Sequence, residues 1–149
     1  MNDNIQSIHS ATWNRRFMAL AAEVATWSKD PDCKVGALIV SPDRRVVATG
    51  YNGFPTGVPD RYEGDKDEKN AITIHAELNA ILNAKTDLAG FTLYSTKDPC
   101  LECCKAIIQA GIKQVVVPQQ RQTSSNWAAS QSAGALMLSN LDVLIVRLF

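Results

Sequence analysis

Residues 91–118, FTLYSTKDPCLECCKAIIQAGIKQVVVP, carry the clearest indication of how this chain folds. The first six of them, 91–96, are typical of a β-strand, and residues 113–118 are typical of a second, buried strand. Residues 100–111 between them predict a helix that ends at Gly111. A strand, a helix and a strand in this order predict two parallel strands with the helix packed against the sheet.

The same alternation continues on both sides of this stretch. Residues 74–85, IHAELNAILNAK, carry apolar side chains at helical spacing, and residues 126–140 predict another helix. A final strand is expected over residues 141–148, LDVLIVRL. Alternating helices and strands of this kind predict an α/β fold in which helices cover both faces of a mainly parallel sheet.

The N-terminal third of the chain has a different pattern. Residues 11–28 carry an apolar stripe at spacings of three and four, which predicts a first helix. Residues 34–40 and 44–53 predict two strands, and the turn signal SPDR at 41–44 joins them as an antiparallel hairpin. Residues 54–70 are rich in Pro, Gly and charge and lack a period, so they predict a long surface loop of the kind that often carries function.

The size and composition indicate a single globular domain over residues 1–149. The 15 basic and 15 acidic residues cancel, which argues against a nucleic-acid-binding surface because such a surface needs an excess of Lys and Arg. The apolar runs are too short to span a bilayer, and the N-terminus lacks the pattern of a secretory signal. We therefore expect no nucleic-acid or membrane partner, and a location in a reducing cytoplasm, that of the host if the chain is viral.

Two short motifs stand at predicted helix starts, HAE at 75–77 and PCLEC at 99–103. Because a strand lies between them, both helices should begin at the same edge of a parallel sheet, where ligand sites form. His75, Cys100 and Cys103 can therefore converge although they lie far apart in the sequence. One imidazole and two thiolates suit zinc, and three protein ligands leave the fourth tetrahedral position open for water, as in catalytic zinc sites.

Glu77 strengthens the catalytic interpretation. It lies two residues after His75 on the same helical turn, where its carboxylate could take a proton from metal-bound water and return it to a substrate. The combination of H-x-E with P-C-x-x-C is a signature of zinc nucleobase deaminases. The structural alternative is a core histidine with buried thiols that bind no metal.

The spacing alone does not choose among the thiols. A C-x-x-C motif in a cytosolic chain indicates a metal or redox site before it indicates a disulfide. On a helix, Cys100 shares a face with both Cys103 and Cys104. Cys33 and His9 are further candidates for soft metal ligands.

Four segments resemble successive motifs of the cytidine and deoxycytidylate deaminase superfamily, and within it of the dCMP deaminases. They are SKDPDCKVGALIV at 28–40, GYNGFPTG at 50–57, HAELNAI at 75–81 and PCLECCKAIIQAGI at 99–112. The resemblance implies a three-layer α/β/α cytidine deaminase-like fold with a five-stranded mixed sheet. It also implies one catalytic zinc ion per chain, and it selects as ligands His75, Cys100 and Cys103, leaving Cys104 as a buried, neutral neighbour.

The resemblance also implies the reaction. Water attacks position 4 of the cytosine ring of dCMP, and ammonia leaves to give dUMP, a precursor of thymidylate and dTTP. Glu77 would carry the protons, Asn52 would contact the sugar, and the backbone of Ala76 would hold the pyrimidine edge. Asn79 has two open roles, since it could face the site or cap local backbone.

Regulation and assembly follow from the same resemblance. Similar enzymes are often homohexamers activated by dCTP and inhibited by dTTP, so we expect a homo-oligomer, a hexamer in preference to a dimer. The implied effector-binding positions are Tyr51, Asn52 and Gly53, and a Mg²⁺ ion could accompany a bound nucleoside triphosphate. The structural second zinc of some members is not expected, because residues 54–74 contain neither Cys nor His.

Two other functions stay open. The chain could deaminate cytidine, CMP, dCTP or adenosine in tRNA, although its zero net charge disfavours tRNA. It could instead be a zinc-stabilised binding module without catalysis, for which the presence of Glu77 is unfavourable. The residue that would bind a 5′-phosphate is left open among four cations beside the motif ends: Lys29, Arg61, Lys66 and Lys69.

Overall fold

The computed structural model of the chain describes residues 3–119 and 125–148, and five helices and five strands lie within these ranges. In chain order they are α1 (Asp3–Ala25), β1 (Gly36–Val40), β2 (Val46–Tyr51), α2 (Lys66–Ile72), α3 (Ala76–Ala84), β3 (Thr92–Ser95), α4 (Leu101–Gln109), β4 (Gln114–Val117), α5 (Ser125–Asn140) and β5 (Leu144–Arg147). None of the helices in these ranges has both the length and the apolar character that crossing a membrane requires.

The strands form one mixed sheet in the order β2-β1-β3-β4-β5. Strand β1 pairs antiparallel with both β2 and β3, whereas β3, β4 and β5 run parallel to one another. The predicted hairpin and the predicted parallel strands are therefore confirmed, and so is the five-stranded mixed sheet. Because β3 and β4 are parallel neighbours, the helices that follow them start at the same edge of the sheet.

Two apolar cores lie on opposite faces of the sheet, because successive side chains of a strand point to opposite sides. The core on the α1 side includes Phe17, Val24, Leu38, Tyr94 and Val116. The core on the other side includes Ile39, Leu93, Ile107, Val115 and Leu138. The chain thus has three layers, with α1 on one face of the sheet and α3, α4 and α5 on the other.

Close packing of α3 on β2 fixes the residue that precedes α3. At Gly50 of β2, a Cβ atom would lie 2.3 Å from both Ala76 O and Ala80 N, so this approach of helix to strand requires glycine. Ala76 and Ala80 are fully buried at the contact. His75, immediately before α3, is thereby held against the sheet.

Helix α2 is the main departure from the sequence prediction, because it begins inside the segment 54–70 that was expected to be a loop. Asp65 caps it, since its Oδ1 accepts a hydrogen bond from the backbone N–H of Glu68 at 2.9 Å. None of its residues is buried. The helix therefore lacks the apolar period on which the prediction depended. Helix α1 also begins earlier than expected, at Asp3.

Candidate functional site

His75 and Cys100 occupy the N-cap positions of α3 and α4. Both have the extended backbone of a cap, with φ of −69° and −74°, but neither side chain makes a capping hydrogen bond. An ordinary cap side chain is committed to a backbone amide of the first turn. These two side chains are instead free to face each other, and the positive end of the α4 dipole favours a thiolate at Cys100.

The side chains of His75, Cys100 and Cys103 converge between the two helix starts. His75 Nδ1 lies 3.4 Å from Cys100 Sγ and 3.5 Å from Cys103 Sγ, and the three ligand atoms lie within 4.8 Å of one another. Bonds of about 2.0–2.1 Å to nitrogen and about 2.3 Å to sulfur would set N and S about 3.6 Å apart around a tetrahedral zinc ion. The donor set and its spacing therefore fit zinc.

The protonation of the three groups also favours a cation. A hydrogen bond from Cys103 lowers the pKa of Cys100 to about 4, against the opposing effect of burial, and His75 adds to the lowering. The pKa of Cys103 is raised by the same hydrogen bond and by burial, and the Cys100 thiolate raises the pKa of His75. Only one sulfur is thus a stable thiolate by itself. A bound divalent cation would keep both sulfurs deprotonated.

Glu77 lies on the first turn of α3 and is 4% exposed. Ser95, a fully buried residue at the end of β3, donates a hydrogen bond from Oγ to Glu77 Oε1 at 2.7 Å. The carboxylate lines the same cavity as His75 and Cys100. Glu77 is therefore a buried, oriented carboxylate beside the three converging ligand atoms.

Cys104 stands apart from this cluster. Its thiol packs against α5, since a Cβ atom at Gly134 would lie 2.6 Å from Cys104 Sγ. The thiol donates to Pro99 O at 3.8 Å, and burial raises its pKa to about 12, so it is neutral at physiological pH. The geometry therefore groups Cys103, and not Cys104, with Cys100 and His75. The side chain of His9, another candidate ligand, lies outside the described part of the structure.

A cavity of about 120 Å³ opens beside the cluster. Its lining includes His75, Cys100 and Glu77, together with Asn52 and Ala76, two of the residues predicted to contact substrate. The starts of α3 and α4 and the end of β2 thus place residues of three motifs around one cavity. The cavity is where a substrate could meet both the ligand cluster and the carboxylate.

Two lining side chains were missed in the sequence. Trp127, near the start of α5, packs edge-on against His75 with ring centroids 5.6 Å apart. Lys97 lies three residues before Cys100 and lines the cavity, and its Nζ contacts Sγ of Cys33, another lining residue, at 3.4 Å. Their signals were weak, because an aromatic residue at a helix start and a lysine beside a metal motif are both common without function.

Asn52 lines the cavity, but its amide group also supports the backbone. Its Oδ1 accepts a hydrogen bond from Val35 N at 2.8 Å, and its Nδ2 donates to Cys33 O at 2.8 Å. Ser28 Oγ donates to the main-chain oxygen of Asn52 at 2.8 Å. These three bonds fasten the segment 28–35 to the end of β2.

The remaining predicted site residues lie at the end of β2 and on α3. Asn79 Nδ2 donates to Tyr51 O at 2.8 Å, and Asn79 does not line the cavity, so its contact is of the backbone-supporting kind. Tyr51 is 40% exposed and packs edge-on against Trp27. Gly53 forms an isolated antiparallel bridge with Ile74. The implied effector positions thus lie next to the segment that leads into His75.

The segment between β3 and α4 is held by the C-terminal elements. The Asp98 carboxylate forms an ion pair with Arg147 of β5, and this interaction raises the pKa of the guanidinium group. Arg147 also donates to Pro118 O at 3.3 Å, and Gln131 of α5 donates to Asp98 O at 2.9 Å. The position of Cys100, two residues after Asp98, therefore depends on β5 and α5.

Comparison with known proteins connects this geometry to a family. The family model for the cytidine and deoxycytidylate deaminase zinc-binding region matches residues 11–119. The matched range contains the HAE motif, the PCLEC motif and all residues of the ligand cluster. It covers well over half of the chain.

Similar sequences and structures extend beyond that range. A protein described as an uncharacterised deaminase in the luxG 3′ region of Aliivibrio fischeri is 41% identical over 138 residues, covering 91% of this chain and 93% of that one. Deoxycytidylate deaminase of Homo sapiens is 39% identical over 145 residues, covering 92% and 79%. The crystal structure of dCMP deaminase from cyanophage S-TIM5 in complex with dCMP and dUMP gives a TM-score of 0.71 at 26% identity, covering 99% and 98%.

Proposed function

Because this chain belongs to the cytidine and deoxycytidylate deaminase family, we propose that it is a zinc-dependent hydrolase that converts dCMP to dUMP and ammonia. The observation that carries the proposal is the convergence of His75, Cys100 and Cys103 at zinc-ligand spacing beside the buried carboxylate of Glu77. The choice of dCMP is supported by the human relative and by the cyanophage structure solved with dCMP and dUMP.

We assign one zinc ion per chain to His75, Cys100 and Cys103. Zinc bound there would act as a Lewis acid and lower the pKa of a coordinated water to about 7. The protein supplies three ligands in this assignment. The nearby Cys104 thiol is not a fourth ligand, since it donates to Pro99 O and packs against α5. An open coordination position is what distinguishes catalytic zinc sites from structural ones.

Glu77 is the proton carrier in this proposal. Ser95 Oγ occupies one side of Oε1, so the carboxylate is held in place and keeps acceptor capacity for a proton. One water is consumed and one ammonia is released in the reaction. The two protons that the water loses pass through Glu77, one to the ring nitrogen and one to the departing amine.

The cavity walls would hold the pyrimidine and the sugar. Trp127 offers an aromatic surface next to His75, against which a cytosine ring could pack. The backbone of Ala76 is assigned to the pyrimidine edge. Asn52 uses one donor and one acceptor site on backbone, and its second N–H and second lone pair remain for the sugar.

A substrate screen tests the proposal. Purified protein is assayed with dCMP, CMP, dCTP, deoxycytidine and cytidine by the loss of cytosine absorbance, before chelation, after chelation and after zinc is restored. We expect the fastest turnover with dCMP, its loss on zinc removal and its recovery on zinc addition. Equal rates with dCMP and deoxycytidine would reject the substrate, and turnover of none of the five would reject the deaminase function.

Regulation is a further part of the proposal. The product dUMP would supply thymidylate synthesis, and we place the binding of dCTP and dTTP near Tyr51, Asn52 and Gly53 in a homo-oligomer. Adding dCTP or dTTP with Mg²⁺ to the dCMP assay tests this assignment. Activation by dCTP and inhibition by dTTP are expected, and unchanged rates would restrict the proposal to unregulated catalysis.

A further inference from the structure

We propose that Lys97 binds the 5′-phosphate of the substrate and so makes the site select nucleotides over nucleosides, an inference that rests on the proposed deaminase function. Within residues 3–119 and 125–148, Lys97 is the one Lys or Arg that lines the cavity beside the ligand cluster. It lies between Ser95, the partner of Glu77, and the zinc-ligand candidate Cys100. A cation at this position can contact a substrate whose base lies at the cluster.

The ammonium group of Lys97 has unused donor capacity. Its contact in the described part of the chain is a hydrogen bond from Nζ to Cys33 Sγ at 3.4 Å. Sulfur is a weak acceptor, and an ammonium group carries three donors. The Lys97 side chain is half-buried, which strengthens its attraction for an anion relative to a fully solvated lysine.

The cavity lining contains the carboxyl groups of Asp30, Glu77 and Asp98, and each has a described partner other than Lys97, which for Glu77 is Ser95 Oγ. Asp30 Oδ1 accepts hydrogen bonds from the backbone N–H groups of Asp32 and Cys33 at 2.8 Å and 3.1 Å. Asp98 is paired with Arg147 of β5. None of these interactions involves the Lys97 ammonium, so its charge is available to a phosphate, and lysine is a common phosphate ligand.

The four cations that sequence position suggested are less suited to this role. Lys29 forms an ion pair with Asp60 at 2.6 Å, and its side chain is 74% exposed. Arg61, Lys66 and Lys69 are exposed. None of the four lines the cavity.

The scaffold around Lys97 is suited to holding the ammonium in place. Its backbone N–H donates to Ser95 Oγ at 3.4 Å, and its Nζ meets the thiol of Cys33. The carbonyl oxygen of Cys33 is in turn bound by the amide of Asn52. A nucleotide with its base at the ligand cluster would thus share the cavity with a positioned cation.

Kinetics of Lys97→Met, Lys97→Arg and the matched control Lys66→Met test the proposal, each with dCMP and with deoxycytidine. A charged-group hydrogen bond is worth about 10- to 100-fold in affinity, so Lys97→Met should raise the KM for dCMP by that factor with a much smaller change in kcat. The rise in KM should be confined to dCMP, and the KM for deoxycytidine should stay the same. Lys97→Arg should reverse part of the rise, and Lys66→Met should have the wild-type KM for both substrates.

Binding of dUMP and deoxyuridine by calorimetry, with zinc content and thermal unfolding measured on every variant, separates the two hypotheses. A wild type that fails to deaminate dCMP would overturn the proposed function, whereas the preference for dUMP over deoxyuridine still tests Lys97. A folded, zinc-loaded Lys97→Met that keeps the wild-type preference for the phosphate would overturn the inference. So would equal losses with dUMP and deoxyuridine, because they would indicate a structural role.

Discussion

The cavity has two sides that use their polar side chains differently. On the ligand side, formed by His75, Glu77, Cys100 and Cys103, the side chains face one another and the cavity, and neither N-cap residue serves its own helix. On the bracing side, formed by segment 28–35 and Asn52, the amide and hydroxyl groups bind main-chain N–H and C=O groups. One side is therefore equipped for a ligand and the other for rigidity.

This difference separates motif residues that are available for chemistry from motif residues that shape the site. A polar side chain that leaves the nearest backbone groups unbonded, as His75 and Cys100 do, is available for chemistry. A polar side chain that saturates distant backbone groups, as Asn52 does, contributes first to the shape of the site. Substitutions on the ligand side should therefore remove activity with little loss of fold, and those on the bracing side should lower stability first and turnover less.

The largest expected effect is on the ligand side, in the comparison of Cys103→Ala with Cys104→Ala. Cys103→Ala should lose zinc and lower kcat/KM by more than about 10³-fold, because the activation of water requires the bound metal. Cys104→Ala removes a neutral buried thiol and should keep about one zinc per chain. Metal analysis and dCMP turnover measure both, and equal zinc loss in the two variants would break the distinction between ligand and neighbour.

The next effect tests how the ligand side is oriented. Ser95→Ala removes the 2.7 Å hydrogen bond to Glu77 Oε1 and should lower kcat by about 10-fold, a part of the 10²–10⁴ that general acid–base catalysis contributes. Zinc content and KM should change little. An unchanged kcat would show that Glu77 needs no orienting partner.

On the bracing side, Asn52→Ala should act mainly on stability. It leaves the N–H of Val35 and the C=O of Cys33 without their side-chain partner, which should lower the free energy of unfolding by about 2–4 kcal/mol. Asn52→Asp keeps the acceptor for Val35 N–H but places a second carboxylate oxygen against Cys33 O, so it should not recover the lost stability. Urea denaturation measures the free energy, and wild-type stability of Asn52→Ala would contradict the bracing role.

The smallest effect is expected at Asn79, which makes one described side-chain bond, to Tyr51 O. Asn79→Ala should cost about 1 kcal/mol or less of stability and leave kcat/KM for dCMP within about 3-fold of the wild type. The same denaturation and turnover assays apply. A large loss of turnover with preserved stability would assign Asn79 to the ligand side instead.

The sequence was most informative where residue chemistry and helix starts coincide. His75, Cys100 and Cys103 have side chains that suit a soft metal and stand at two predicted helix starts, and the parallel strand order brought those starts to one edge. Periodicity likewise predicted the sheet and the helices that bury an apolar face. The choice of Cys103 over Cys104 needed the family resemblance, because both residues share a helix face with Cys100.

Features that depend on distant contacts were not predictable. Asn52 bonds Val35 and Cys33, 17 and 19 residues earlier, and no local pattern records such pairs. Lys97 and Trp127 line the cavity because separate elements of the fold pack together there, and a local sequence pattern does not show this. Helix α2 was not predicted because none of its residues is buried, so its sequence has no apolar period.

Turnover of dCMP by a Glu77→Gln variant is the direct test of whether a zinc-bound cluster and one carboxylate form a deaminase. This substitution keeps the size and much of the hydrogen-bonding capacity of the side chain while removing its ability to carry protons. We predict a folded protein with about one zinc per chain and dCMP turnover reduced by at least about 10²- to 10⁴-fold. A zinc-loaded Glu77→Gln variant that deaminates dCMP at the wild-type rate would contradict the claim.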